Sequence, residues 1–237
     1  MPASPWRRED SPLRAVERGL VLTPHLGAST EEAQENVAVD VAEQIRDVLL
    51  GLPARSAVNI PGLSAEIMER LKPHLQLAET VGRLVSQLSG GQVQELELRL
   101  QGEFASHPSQ PLLIASLKGL LGAVLGDSIN FVNASLEAKA RGIRVLEVKD
   151  EASRDFAGGS LQITSRGDQG SRSVTGTVFA DGDLRITSID EFPVNVTPSS
   201  HMLFTRHRDM PGIIGQLGSM LGEHNVNIAA MQVGRKI

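Results

Sequence analysis

Apolar residues recur along this chain at two spacings, and the spacing changes at identifiable points. Ala33, Val37, Val41, Ile45, Val48 and Leu49 fall three or four apart and make one stripe of a long helix over residues 30–50. Ser29 followed by Glu32 reads as a capping box, Glu31, Glu32 and Glu35 suit the positive end of the helix dipole, and Gly51 and Pro53 stop the helix. Asn59-Ile60-Pro61-Gly62 predicts an extended linker and a domain boundary within residues 54–63. A second helical stretch covers residues 64–88, interrupted at Pro73, with Leu77, Val81, Leu84, Val85 and Leu88 on its apolar face. After Gly90-Gly91 the period drops to two. Leu96, Leu98 and Leu100 alternate with Glu95, Glu97 and Arg99, the pattern of a half-buried strand.

Further along, residues 112–125 predict an apolar helix, residues 131–140 another, and residues 143–148 a short strand. Residues 160–165, 173–179 and 184–189 read as antiparallel strands, the last two joined by a turn at Asp181-Gly182, and residues 193–200 read as a second linker. The tail reads as β-α-β. A strand at 201–206 leads to a helix capped by Asp209, with Pro211 in its first turn and Ile213, Ile214, Leu217, Met220 and Leu221 on its apolar face; a strand at 226–233 follows. Gly212, Gly215, Gly218 and Gly222 share one side of that helix, which suits close packing on a sheet. A lone β-α-β unit leaves bare strand edges, so the tail reads as an incomplete module. The fold class is α+β.

Composition narrows the function classes. The 237 residues carry 23 Lys and Arg against 28 Asp and Glu, a net charge of −5, which argues against a dedicated nucleic-acid binder. One Trp and no Tyr leave an aliphatic core and no base-stacking platform. With no cysteine there is no disulfide, thiolate metal site or thiol nucleophile. No apolar run follows Arg7 and Arg8 as a signal peptide would need, and the apolar stretch 111–125, which contains Lys118, is short for a membrane span and reads as a buried helix. The expectation is a cytoplasmic protein without membrane or nucleic-acid partners.

The residues point to no self-contained active site. No two glycines are spaced G-x-G and no glycine precedes a lysine, so neither the dinucleotide fingerprint nor the Walker A loop is present. The six histidines are scattered, and no metal site is supported. His25 is the one catalytic candidate: it lies in a Pro-His-x-Gly turn before a capped helix, where an imidazole can face a cleft and move a proton, or simply bond the backbone. Arg166, Arg206 and Arg208 read as solvated arginines, and Lys139, Arg141 and Arg144 as helix-end charges.

Leu22-Thr-Pro-His-Leu-Gly-Ala-Ser-Thr-Glu-Glu-Ala-Gln34 closely resembles the segment closing the nucleotide domain of the D-3-phosphoglycerate dehydrogenase family. The resemblance continues through Ala57-Val-Asn-Ile-Pro61, Phe131-Val-Asn-Ala134 and Ala140-Arg-Gly-Ile143. It reaches His201-Met-Leu-Phe-Thr-Arg-His-Arg-Asp-Met-Pro-Gly212 and Asn225-Val-Asn-Ile-Ala229, so it covers roughly residues 10–237. It matches the long form of the family, which follows its catalytic domains with an intervening allosteric substrate-binding domain and a C-terminal ACT domain. The resemblance implies residues 1–53 as the end of the nucleotide-binding region, 54–198 as an α+β intervening domain and 199–237 as a truncated ACT domain.

The resemblance also implies an activity: oxidation of 3-phosphoglycerate by NAD to 3-phosphohydroxypyruvate, the committed step toward L-serine. His25 matches the family's proton-shuttling histidine, and His25, Leu26, Gly27 and Ala28 match a stretch bordering the nicotinamide. His207, Asp209 and Asn227 match positions that contact L-serine where two ACT domains pair, Asp209 being readable equally as a helix cap. A homo-oligomer is implied as well. The family's Gly-rich turn, its substrate-binding arginine and the glutamate that orients its histidine have no counterpart here. The expectation is therefore a C-terminal piece of the enzyme, inactive alone; the alternative is a stand-alone regulatory module that binds L-serine or substrate without chemistry.

Overall fold

The computed structural model describes residues 16, 18–21, 26–49, 65–151, 158–208 and 210–235. The chain divides into two compact units, residues 1–55 and 56–237. The first is built on helix α1 (Glu31–Leu49). Ala33 donates its N–H to Thr30 Oγ1 at 3.1 Å, so the cap is Thr30 and not Ser29. Ser29 is already used one step earlier, where its N–H closes a turn onto the Leu26 carbonyl. Val37, Val41 and Ile45 of the predicted stripe are exposed.

The second unit runs α2 (Ala65–Ser89), β1 (Val93–Gln101), α3 (Glu103–Ser106), α4 (Ser109–Leu125), a 3-10 turn (Gly126–Ser128), α5 (Ala134–Ala140), β2 (Arg144–Asp150), β3 (Ser160–Gly167), β4 (Gly170–Val178), β5 (Leu184–Ile189), β6 (Phe192–Val196) and α6 (Ile213–Glu223). The six strands form one mixed sheet in the order β2-β1-β3-β4-β5-β6. Only the β1–β2 pair is parallel. Its crossover carries α3, α4 and α5, as a parallel connection requires.

The registers place Leu98 beside Ile163 and Ile163 beside Val174, and with Leu96, Leu100, Leu161 and Ile186 these residues are wholly buried. Leu77, Val81 and Val85 of α2 and Leu112, Leu117 and Leu120 of α4 complete this core. Gly176 of β4 lies directly under Leu77, where a methyl would meet the Leu77 Cδ1 at 2.8 Å. The opposite face of the sheet is polar. Arg166 bridges Glu95 and Glu97, Arg99 also binds Glu97 at 2.9 Å, and Gln162 donates to Thr175 Oγ1 at 3.1 Å.

Two contacts lock helices to sheet. Arg172 of β4 donates to the Leu88 carbonyl at 3.2 Å, satisfying the end of α2, and binds Asp190 at 2.8 Å. Ser89 and Ser165 share a hydrogen bond of 2.7 Å. The closest approach is between the helices themselves. A methyl built on Gly82 of α2 would lie 2.3 Å from the Ser116 carbonyl oxygen, and one on Gly119 of α4 would lie 2.0 Å from the Glu79 carbonyl oxygen. The two backbones touch, and no side chain fits between them.

Several expectations need correction. Helix α2 continues through Pro73. Proline removes one ladder bond, but buried Leu71 on one side and Leu77 and Ala78 on the other hold both halves. Helix α5 starts at Ala134, three residues late, because Asn130 and Asn133 bond each other's backbone and hold residues 130–133 as turns. The linker predicted at 193–200 contains most of β6. Pro193 is tolerated there because β6 is an edge strand. Helix α6 is capped by Gly212 at φ +91°, so Pro211 precedes it; Asp209 lies outside the described residues, as does the predicted boundary at 54–63.

The tail also differs. Residues 201–206 and 226–233 form no strand ladder among the described residues. An isolated parallel pair is a poor unit, and residues 232–234 lie beside β6 instead. Gln232 accepts from the Asn195 N–H at 2.8 Å, and a methyl on Gly234 would meet the Pro193 carbonyl at 3.1 Å. Gly215, Gly218 and Gly222 have open space around them, so among the described residues the expected close packing of α6 on a sheet is not seen.

The backbone crossing predicts opposite signs for chemically identical changes. Gly82→Ala and Gly119→Ala should each destabilise the unit by about 2 kcal/mol through overpacking. Gly122→Ala, in the same helix α4 with open space at its Cβ position, should stabilise by roughly 0.5–1 kcal/mol through helix propensity. Urea unfolding followed by circular dichroism measures all three.

Candidate functional site

The turn before α1 is the first site expected from sequence. Leu26, Gly27 and Ala28 form an exposed turn; His25 lies outside the described residues. Gly27 has no atom within 4 Å of where its Cβ would be. A dinucleotide needs a concave cradle of backbone N–H groups at a helix start. Three residues of an open turn do not supply one, so the described residues do not fit NAD and no reaction step is derived through it.

The second expected site is in the tail. His207 and Asn227 are both exposed, and no hydrogen bond joins them among the described residues; Asp209 lies outside these. His207 Nδ1 sits 3.0 Å from the Arg208 carbonyl, which can only accept, so Nδ1 is the donor of this contact. Arg166 is committed to Glu95 and Glu97 on the sheet.

The structure gathers a third group of residues that the sequence reading passed over. Beside the α2–α4 crossing lies an open polar cleft of about 320 Å³, lined by Glu79, Arg83, Gln87, Lys118, Asp127 and Ile129 among others. Lys118 Nζ is 2.7 Å from Glu79 Oε2 and 4.9 Å from the centre of the Phe131 ring, and Arg83 reaches the other Glu79 oxygen at 3.4 Å. One carboxylate thus serves two cations. The clue in the sequence is Lys118 itself, a charge inside an otherwise apolar helix, and the i,i+4 pairing of Glu79 with Arg83. The stretch Ser109–Ser128 is long and apolar enough to cross a membrane, but half of it is buried in the core and Lys118 is neutralised from α2, as in a core helix.

Comparison with known proteins resolves what these segments are. The family model described as the D-3-phosphoglycerate dehydrogenase intervening domain matches residues 70–190, and the ACT domain model matches residues 201–237. The chain belongs to the D-3-phosphoglycerate dehydrogenase family. It is 63% identical to the D-3-phosphoglycerate dehydrogenase of Synechocystis sp. over 92% of this chain and 39% of that protein. It is 39% identical to that of Methanocaldococcus jannaschii, over 96% of this chain and 43% of the relative, and 37% identical to that of Bacillus subtilis, over 94% and 42%. The chain therefore spans about two fifths of the length of these relatives. Strands β1–β5, the crossing and the Glu79–Lys118 cleft fall inside the intervening-domain match, and β6 follows just after it.

The Glu79–Lys118 pair is about three-quarters buried on both sides, so it should matter more than a surface pair. Lys118→Met should destabilise by about 1 kcal/mol by leaving Glu79 with Arg83 alone. Glu79→Gln, which takes the shared carboxylate from both Lys118 and Arg83, should cost more than Lys118→Met in thermal unfolding.

Proposed function

We propose that this chain is the effector-sensing and assembly part of an NAD-dependent D-3-phosphoglycerate dehydrogenase, and that it performs no dehydrogenation as an isolated cytoplasmic polypeptide. The observation that carries this reading is the pair of family matches, intervening domain and ACT domain, which between them take up residues 70–190 and 201–237. The division into residues 1–53, 54–198 and 199–237 follows from the same reading. In the assembled enzyme His25 takes the position that moves the hydroxyl proton of 3-phosphoglycerate, with Leu26, Gly27 and Ala28 at the border of the nicotinamide; the rest of that site comes from elsewhere.

The tail supplies the effector site. Asp209 accepts from the ammonium of L-serine, Asn227 donates to its carboxylate, and His207 offers Nε2 to its hydroxyl or ammonium. Exposed Ile214, Met220, Val226 and Ile228 favour self-association of the same segment, so the ligand is held between two copies. A homo-oligomer is the form in which the site is complete.

Two measurements test this reading separately. Calorimetry with L-serine on the oligomeric chain should give heat that Asn227→Ala abolishes; no heat removes the effector assignment. The pure chain given 3-phosphoglycerate and NAD should produce no NADH; production that His25→Ala abolishes overturns the regulatory reading.

A further inference from the structure

Strand β6 closes one side of the sheet, and its outer edge is irregular in two ways. Pro193 has no N–H to offer along it. The register with β5 also slips. Ile186 stands beside Val196 and Ser188 beside Pro193, so Val194 and Asn195 share the place opposite Thr187. At this bulge the Asn195 N–H donates not to β5 but to Gln232 Oε1 of the tail, at 2.8 Å.

A second contact fixes the direction of the tail. A methyl on Gly234 would lie 3.1 Å from the Pro193 carbonyl oxygen and 3.2 Å from both Phe192 Cβ and Val194 Cγ1. Position 232 lies against 195 and position 234 against 193, so the tail passes β6 antiparallel, as the next strand of the sheet would. It makes no ladder there. A side-chain oxygen takes the Asn195 donor, and a residue without a side chain comes up to the strand. An ordinary partner strand would find no donor at Pro193, whereas a Gln-x-Gly segment needs none.

The same segment has a competing use. Residues 226–233 carry a strand pattern, and Val226, Ile228, Met231 and Val233 are all exposed. Pairing this run into a ladder needs a neighbour about 4.8 Å away. With β6 already in van der Waals contact with Gly234, that flank of the tail has no room for a further strand. The tail can lie on β6 or take a neighbouring strand on that flank, but not both.

We propose that Gln232 and Gly234 form a releasable clasp that seats the tail on the outer edge of β6, and that pairing of residues 226–233 with a second copy of the chain opens it. The release rests on the self-association proposed above; the seat on β6 does not. The clasp makes the edge of the sheet responsive to the state of the tail. Closed, the Asn195 N–H is bonded to Gln232; open, it faces water.

Amide exchange at Asn195, read by nuclear magnetic resonance on the full chain over a range of concentrations, tests both halves, with association followed by sedimentation. The Asn195 amide should exchange about fivefold faster in the associated chain than in the monomer. In the monomer, Gln232→Ala should give the same acceleration, and Gln232→Glu, which keeps an acceptor oxygen, should not. Gln232→Ala removes a bond made only in the closed form, so it should also tighten association about fivefold. Equal Asn195 exchange in the wild-type and Gln232→Ala monomers overturns the clasp. Association that leaves Asn195 exchange unchanged overturns the release. A chain that stays monomeric at every concentration removes the self-association reading and the release with it, while the Gln232→Ala comparison still decides the seat.

Discussion

Two helix backbones touch at Gly82 and Gly119, and most of the second unit is arranged around that contact. With no side chain between them, α2 and α4 present a single layer to the sheet, so Leu77, Val81 and Val85 can share one core with Leu112, Leu117 and Leu120. The same closeness brings Glu79 within reach of Lys118, which explains how a lysine survives in an apolar helix. The cleft beside the crossing is its other consequence, a hollow left where the two helices diverge. Arg172 and the Ser89–Ser165 pair then fix the end of α2 to the sheet, so the crossing angle and the strand register support each other.

This closed core contrasts with the segments on either side of it. Helix α1 exposes Val37, Val41 and Ile45, and the tail exposes Leu203, Met210, Met220 and Met231. Such surfaces are characteristic of elements that pack against partners. His207 and Asn227, proposed above to hold L-serine, are exposed in the tail, whereas α2, α4 and the sheet close one core between them.

Much of this was legible in the amino-acid order. The period of two in Leu96, Leu98 and Leu100, the stripe of α2, the apolar α4 and the Asp181-Gly182 turn all reflect burial patterns that act over a few residues. Gly182 does take φ +86°, and the Gly182 N–H closes the turn onto the Phe179 carbonyl at 2.9 Å. What sequence concealed depends on distant partners. Gly82 and Gly119 lie far apart in the chain, and nothing local marks either as a contact point. Pro193 hides an edge strand because edge position, not composition, permits it. The strand-like runs at 201–206 and 226–233 need neighbouring strands that the described residues do not provide, so local pattern overstates them. The cap of α1 moved by one residue because Thr30 and Ser29 are chemically near-equivalent and the preceding turn chose between them.

The central claim is that the intervening-domain core stands by itself and the flanking segments lean on other surfaces. Its most direct test is urea unfolding of residues 64–200 beside the full chain, followed by far-ultraviolet circular dichroism. The account predicts one cooperative transition for the excised unit with the midpoint of the full chain's main transition. An excised unit that does not fold, or that unfolds at a clearly lower midpoint, would contradict it.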